Sequence, residues 1–64
     1  MKNIFIELTD NDDVKILFNV LNIAWIEPAK NGSSIKSNMV NYNLPKKVKE
    51  SYQEVRSLIA SLDS

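Results

Sequence analysis

Residues 4–19 read IFIELTDNDDVKILFN, and this stretch predicts how the chain begins to fold. Apolar and polar residues alternate from Lys2 to Thr9 and again from Val14 to Val20, a period-two pattern typical of strands with one apolar face. The residues between them, Asp10 to Asp13, favour a turn because Asp and Asn side chains hydrogen-bond the nearby backbone. We therefore expect an antiparallel hairpin. Its apolar faces would carry Ile4, Ile6 and Leu8 on one strand and Val14, Ile16 and Phe18 on the other.

Further strands are predicted beyond a corner at residues 19–22. Ile23 to Glu27 is expected to form the third strand and to end at Pro28, because proline cannot donate to a sheet ladder. The pair Asn31-Gly32, favoured in type I′ turns, then leads into a fourth strand at Ser34 to Ser37. Met39 to Leu44 is an optional fifth strand, on which Val40, Tyr42 and Leu44 would share one face.

The C-terminal third changes to a helical period. Its apolar residues are spaced four, three, four and three apart, which is typical of an amphipathic helix. The helix could begin at Pro45, which suits a first helical position, or after Ser51, which forms a capping box with Glu54. We favour Ser51, with residues 46–49 extended. The stripe comprises Val48, Tyr52, Val55, Ile59 and Leu62, widened by Leu58.

These patterns predict one α+β domain over residues 1–64: an antiparallel meander of four or five strands, followed by one C-terminal amphipathic helix packed on the sheet. A chain of 64 residues buries only about 60% of its unfolded surface, and many such domains rely on disulfides, metals or partner subunits. With no cysteine and no histidine, disulfides and the usual zinc ligands are excluded. Two sources of stability remain: oligomerisation, or a compact core that is only just sufficient.

The composition also argues against an enzyme. Neither histidine nor cysteine is present to act as base or nucleophile, and one glycine cannot build a phosphate-binding loop or a dinucleotide fingerprint. The acidic run at residues 10–13 fails as a calcium loop, because Lys15 and Leu21 stand where glycine and glutamate are needed. We therefore predict no catalytic residue, no cofactor and no metal.

Two surfaces are candidates for binding. The third strand is apolar on both faces, so Trp25, Ile23 and Ile26 are the candidates for an interface with a second copy or another protein. Lys36, Lys46, Lys47 and Lys49 form the densest basic region and are candidates for nucleic-acid contacts, with Trp25 and Tyr42 as stacking surfaces. A lysine-protected strand edge is the plainer interpretation of these lysines, because the eight basic and eight acidic residues balance.

Localisation is predicted from what the sequence lacks. An acid follows three residues after the first apolar residue, so no signal peptide is expected, and the longest apolar run, at residues 23–26, is too short for a membrane span. A cytoplasmic protein with no membrane partner is the expectation.

Three segments together resemble the small bacterial proteins of the FlbD/SwrD type, which are associated with flagella and swarming. The resemblance rests on Ile4–Asn19, on the strand IAWIEP at residues 23–28 and on VKESYQEV at residues 48–55. Residues 38–47 depart from that pattern, which has a tight glycine-containing turn there. The second half is also similar to the end of LytTR-type DNA-binding domains, without clear counterparts of their DNA-contacting residues.

We expect from all this a non-enzymatic bacterial protein-interaction or self-associating module. The alternative is a small nucleic-acid-binding regulator that uses the four lysines.

Overall fold

The computed structural model describes residues 4–41 and 43–63, which form five strands and a C-terminal helix. The predicted α+β class and the antiparallel strands followed by one packed helix are confirmed. The elements are β1 (Phe5–Thr9), β2 (Lys15–Asn19), β3 (Ile23–Ala29), β4 (Gly32–Ser37), β5 (Lys46–Val48) and α1 (Tyr52–Ala60), with short 3-10 helices at Val20–Asn22 and Ser61–Asp63.

The strands form two antiparallel sheets, one of β1 and β2 and one ordered β3-β4-β5. In the first sheet Glu7 lies opposite Leu17, and in the second Ile35 lies between Ile26 and Lys46. A single bridge between Asp10 and Val48 joins the sheets. Following the hydrogen bonds, the order is therefore β2-β1-β5-β4-β3, with β2 and β3 as the outermost strands.

The core lies where the two sheets meet the helix. Because α1 packs against β1 and β3, it covers the face on which the apolar residues of both sheets converge. The fully enclosed apolar residues are Ile6, Leu8, Ile35, Val48 and Val55, and Phe18, Val20, Ile23, Ile26, Ile59 and Leu62 pack around them. The predicted hairpin face and helix stripe are confirmed at most positions. Ile4, Val14 and Leu58 instead lie exposed, and Val48, which was assigned to the helix stripe, is buried in β5.

The turn between β1 and β2 is organised by Asp10. Its Oδ1 accepts hydrogen bonds from the backbone N–H groups of Asp12 and Val14 at 2.8 and 3.0 Å. Asp13 takes the left-handed backbone conformation, with φ 65°, that a short polar residue tolerates. The predicted turn is confirmed, although Asp10 itself is buried rather than solvated.

The optional fifth strand at Met39 to Leu44 is wrong. Residues 39–41 and 44 form bends and turns, and the strand that pairs with β4 is Lys46–Val48. Val40 and Leu44 are 90% and 82% exposed, and Tyr42 lies outside the described residues. Asparagines at positions 38, 41 and 43 favour turns over strand pairing, which accounts for the difference.

The β3–β4 hairpin is confirmed, but two details of its prediction are wrong. β3 continues through Pro28 to Ala29, because a proline is tolerated on an outermost strand. The turn is also not type I′, which needs positive φ at both central residues: Ala29 pairs with Gly32, and the positive φ (146°) belongs to Gly32. A side chain at Gly32 would place its Cβ 2.0 Å from the Val48 carbonyl oxygen. Glycine is therefore required by close backbone contact.

The helix begins after Ser51, as favoured from the sequence. Ser51 Oγ accepts from the Glu54 backbone N–H, and Glu54 Oε1 accepts from the Ser51 N–H, both at 3.1 Å. This capping box satisfies two of the backbone donors that every helix leaves unpaired at its start. None of the helices within residues 4–41 and 43–63 has the length and apolar character needed to cross a bilayer.

Replacing the cap tests its contribution. We expect Ser51→Ala to lower the free energy of unfolding by about 1 kcal/mol, the usual cost of losing an N-cap hydroxyl. Ser57→Ala, at an exposed position in the same helix, is the matched control and should be neutral or slightly stabilising. Urea unfolding followed by circular dichroism measures both, and equal losses in the two variants would contradict the capping role.

Candidate interaction surfaces

Glu50 links the hairpin to the second sheet. Its carboxylate accepts hydrogen bonds from the Thr9 backbone N–H at 2.8 Å and from the Thr9 hydroxyl at 2.9 Å. Its backbone carbonyl accepts from the Ser33 hydroxyl at 2.8 Å, and the N–H of its neighbour Lys49 donates to the Thr9 carbonyl at the same distance. Lys15 completes the group by donating to Thr9 Oγ1 at 3.0 Å. Glu50 therefore joins β1 to β4, and Lys15 of β2 reaches the same group through Thr9.

The two acids at this junction titrate below their ordinary range. Desolvation opposes ionisation of Glu50, but the two hydrogen bonds from Thr9 outweigh it and hold its pKa below the usual value. The Val14 N–H, the Asp12 N–H and Lys46 lower the pKa of Asp10 in the same way. Because folding lowers these pKa values, both groups stabilise the fold above pH about 4 and lose that contribution as the pH falls.

The four candidate lysines do not form one surface. Lys46 Nζ lies 3.8 Å from Asp10 Oδ2, and Lys49 donates a hydrogen bond to Asp13 that raises the pKa of the lysine. Lys36 and Lys47 instead lie on the outer face of the second sheet, where Lys47 is opposite Ser34. The acidic turn therefore neutralises half of the predicted basic region.

The three candidate interface residues also separate. A bulge between Ile23 and Trp25 turns both isoleucines toward the core, where they are half-buried against the central cluster. Trp25 faces outward, 43% exposed, directly opposite Lys36. Trp25 is therefore the most exposed of the three, and Ile23 also lines an open depression beside β2.

A larger apolar surface lies along β2. A groove of about 410 Å³ opens between β2, the ends of β3 and β4, and the side chains of Met39 and Leu44. We call this depression the apolar groove. Its rim carries exposed side chains from three parts of the chain, and its floor reaches Ile35 of the core. The exposed rim residues are Phe5, Leu17, Met39 and Leu44.

Sequence reasoning did not single out this groove. The signal was present in the hairpin, where Phe5 and Leu17 occupy the face that otherwise carries Glu7, Thr9 and Lys15. Two large apolar residues on a face expected to be polar are informative, because soluble monomers rarely expose contiguous apolar patches larger than a few hundred Å². The contribution of Met39 and Leu44 depends on their tertiary placement beside β2, which their local pattern does not reveal.

Within residues 4–41 and 43–63 no three acidic side chains come together in a way that could hold a metal ion. No protein-family model, curated protein or solved structure matches the chain. Function must therefore be inferred from the residues and their geometry.

The junction at Glu50 can be tested by removing its charge. We expect Glu50→Gln to lower the free energy of unfolding by about 1–2 kcal/mol, since charge-assisted hydrogen bonds are lost at a site that solvent partly screens. Glu7→Gln, an exposed position on β1, is the control and should change stability by less than about 0.5 kcal/mol.

The pH dependence of the same pair of proteins gives a second check. Protonating Glu50 removes the same charge as the substitution does, so the gap between wild type and Glu50→Gln should narrow as the pH falls from 6 toward 3. Urea unfolding at several pH values measures it. A gap that stays constant with pH would show that the carboxylate charge plays no part.

Proposed function

We propose that the protein is a non-enzymatic, cytoplasmic bacterial module that works by self-association or by docking onto another protein. The apolar groove is the observation that carries this proposal. Four exposed apolar residues, Phe5, Leu17, Met39 and Leu44, line this one depression together with polar residues such as Asn19 and Lys46. Large exposed apolar patches rimmed by polar residues mark protein interaction sites. The flagellar or swarming setting implied by the resemblance stays a prediction.

The total exposed area supports the same proposal. A compact monomer of 7.3 kDa is expected to expose about 4,200 Å². This chain exposes 4782 Å², which is about 600 Å² more and is smaller than the area of about 800 Å² that one partner contributes to an ordinary protein interface. The direction of the difference agrees with a subunit that has a small uncovered face.

A nucleic-acid-binding regulator is the second candidate, and one arrangement favours it. Trp25 lies opposite Lys36, and Lys47 shares that face of the second sheet, so an aromatic ring and two cations face solvent together. Single-stranded nucleic acids bind such surfaces by stacking and charge. Glu27 lies on the same face, however, and Lys46 and Lys49 are paired with acids, so the surface carries little net charge.

Sedimentation and dye binding test the interaction module. We expect the average mass to rise above 7.3 kDa as the concentration increases from micromolar to submillimolar, because association follows mass action. The dilute protein should bind an apolar fluorescent dye, and association should displace it. A chain that stays monomeric and binds no dye would overturn the proposed function.

The fluorescence of Trp25 separates the two candidates, because it is the only tryptophan. The regulator predicts quenching by single-stranded oligonucleotides at low salt that weakens steeply as salt rises. It also predicts loss of that binding in a variant with Lys36→Ala and Lys47→Ala. The interaction module predicts no quenching in either protein.

A further inference from the structure

The outer side of β2 is an open strand edge. The bonds Asp10 N–H to Val14 C=O and Val20 N–H to Ile4 C=O show that even-numbered residues of this strand bond to β1. In an antiparallel pair the alternate residues then direct their N–H and C=O groups to the other side. Those of Lys15, Leu17 and Asn19 therefore face away from β1, and no described backbone group pairs with them.

β2 lacks the protection that the other outermost strand has. β3 carries Pro28 and a bulge after Ile23, two features that discourage pairing with a further strand. β2 is regular over its length and contains no proline. Its single charged side chain, Lys15, is drawn toward β1 by its hydrogen bond to Thr9. The outer edge of β3 is therefore protected against pairing with a further strand, and the outer edge of β2 is not.

The sequence of β2 complements itself when two copies run antiparallel. Centring the pair on Leu17 places Leu17 opposite its counterpart, Ile16 opposite Phe18, and Lys15 opposite Asn19. The two lysines are then about 13 Å apart along the strands, so no like charges meet. The outward backbone groups of three residues in each copy would form six hydrogen bonds across this register.

We propose, resting on the function proposed above, that the partner at this edge is a second copy of the chain, bound by antiparallel β2–β2 pairing about a twofold axis at Leu17. The pairing turns the two hairpins into one four-stranded sheet. Leu17 is 64% exposed in the single chain, and Ile16 and Phe18, whose side chains lie on the opposite face of the strand, line the apolar groove with it. Dimerisation therefore buries apolar side chains on both faces of β2 as well as pairing its edge.

Single-cysteine cross-linking tests the twofold axis, because the chain has no native cysteine. We expect Leu17→Cys to give a covalent dimer with a short bis-maleimide, which spans the Cβ separation across a hydrogen-bonded pair better than a disulfide. Val14→Cys and Trp25→Cys, at exposed positions away from the axis, are the controls and should stay largely monomeric.

Introducing a positive charge at the twofold axis gives an independent test in solution. Leu17→Lys places two cations against each other and should raise the dimer dissociation constant by about tenfold or more in sedimentation. Leu21→Lys, at a leucine that is 69% exposed but lies outside β2, should leave it unchanged. Circular dichroism checks that both variants fold.

The outcomes separate this inference from the proposed function. Dimers that form without cross-linking at residue 17, or that survive Leu17→Lys, overturn the β2 pairing and leave self-association through another surface. A wild-type chain that binds the apolar dye yet stays monomeric also overturns the pairing, and leaves docking onto a different protein.

Discussion

The carboxylate of Glu50 is the interaction on which this small fold depends. Both of its oxygens accept hydrogen bonds from Thr9, while its backbone carbonyl accepts from Ser33. One residue between β5 and α1 thus ties the hairpin to the second sheet. The core contains five enclosed apolar residues, so hydrophobic burial alone leaves little margin. The charge-assisted hydrogen bonds of Glu50 are directional, so they fix how the two sheets are oriented where they meet, which apolar contacts alone do not.

This junction also explains why part of the molecule stays open. β1 uses one side to pair with β2 and the end of its other side to meet residues 48–50. β2 therefore has a neighbour on one side within the described chain, and the helix covers the core from the direction of β1 and β3. The apolar groove lies beside β2, in a region that the helix does not cover and where no further strand of the described chain packs.

Local signals predicted the local structure well. Alternation within each strand predicted the first hairpin, and Asp10 and the Ser51–Glu54 pair predicted its turn and the helix start, because each of these signals lies within a short stretch of sequence. The Thr9–Glu50 contact spans 41 positions, and no local pattern encodes it. The same limit applies to β5, since Lys46–Val48 is a strand only because β4 and β1 flank it. The candidate lysines were misjudged as a group for this reason: Asp10 and Asp13 reach Lys46 and Lys49 only after folding.

Charge pairing and edge protection together favour a protein partner over a nucleic acid. Lys46 of β5 is paired with Asp10 of the acidic turn. The face that carries Trp25 therefore holds two lysines and one glutamate, and little net charge. At β3 a proline and a bulge restrict strand addition, whereas β2 offers regular backbone flanked by Leu17, Ile16 and Phe18. Selection against aggregation usually blunts exposed edges. An edge that remains regular and apolar in so small a chain is best explained by a partner that covers it.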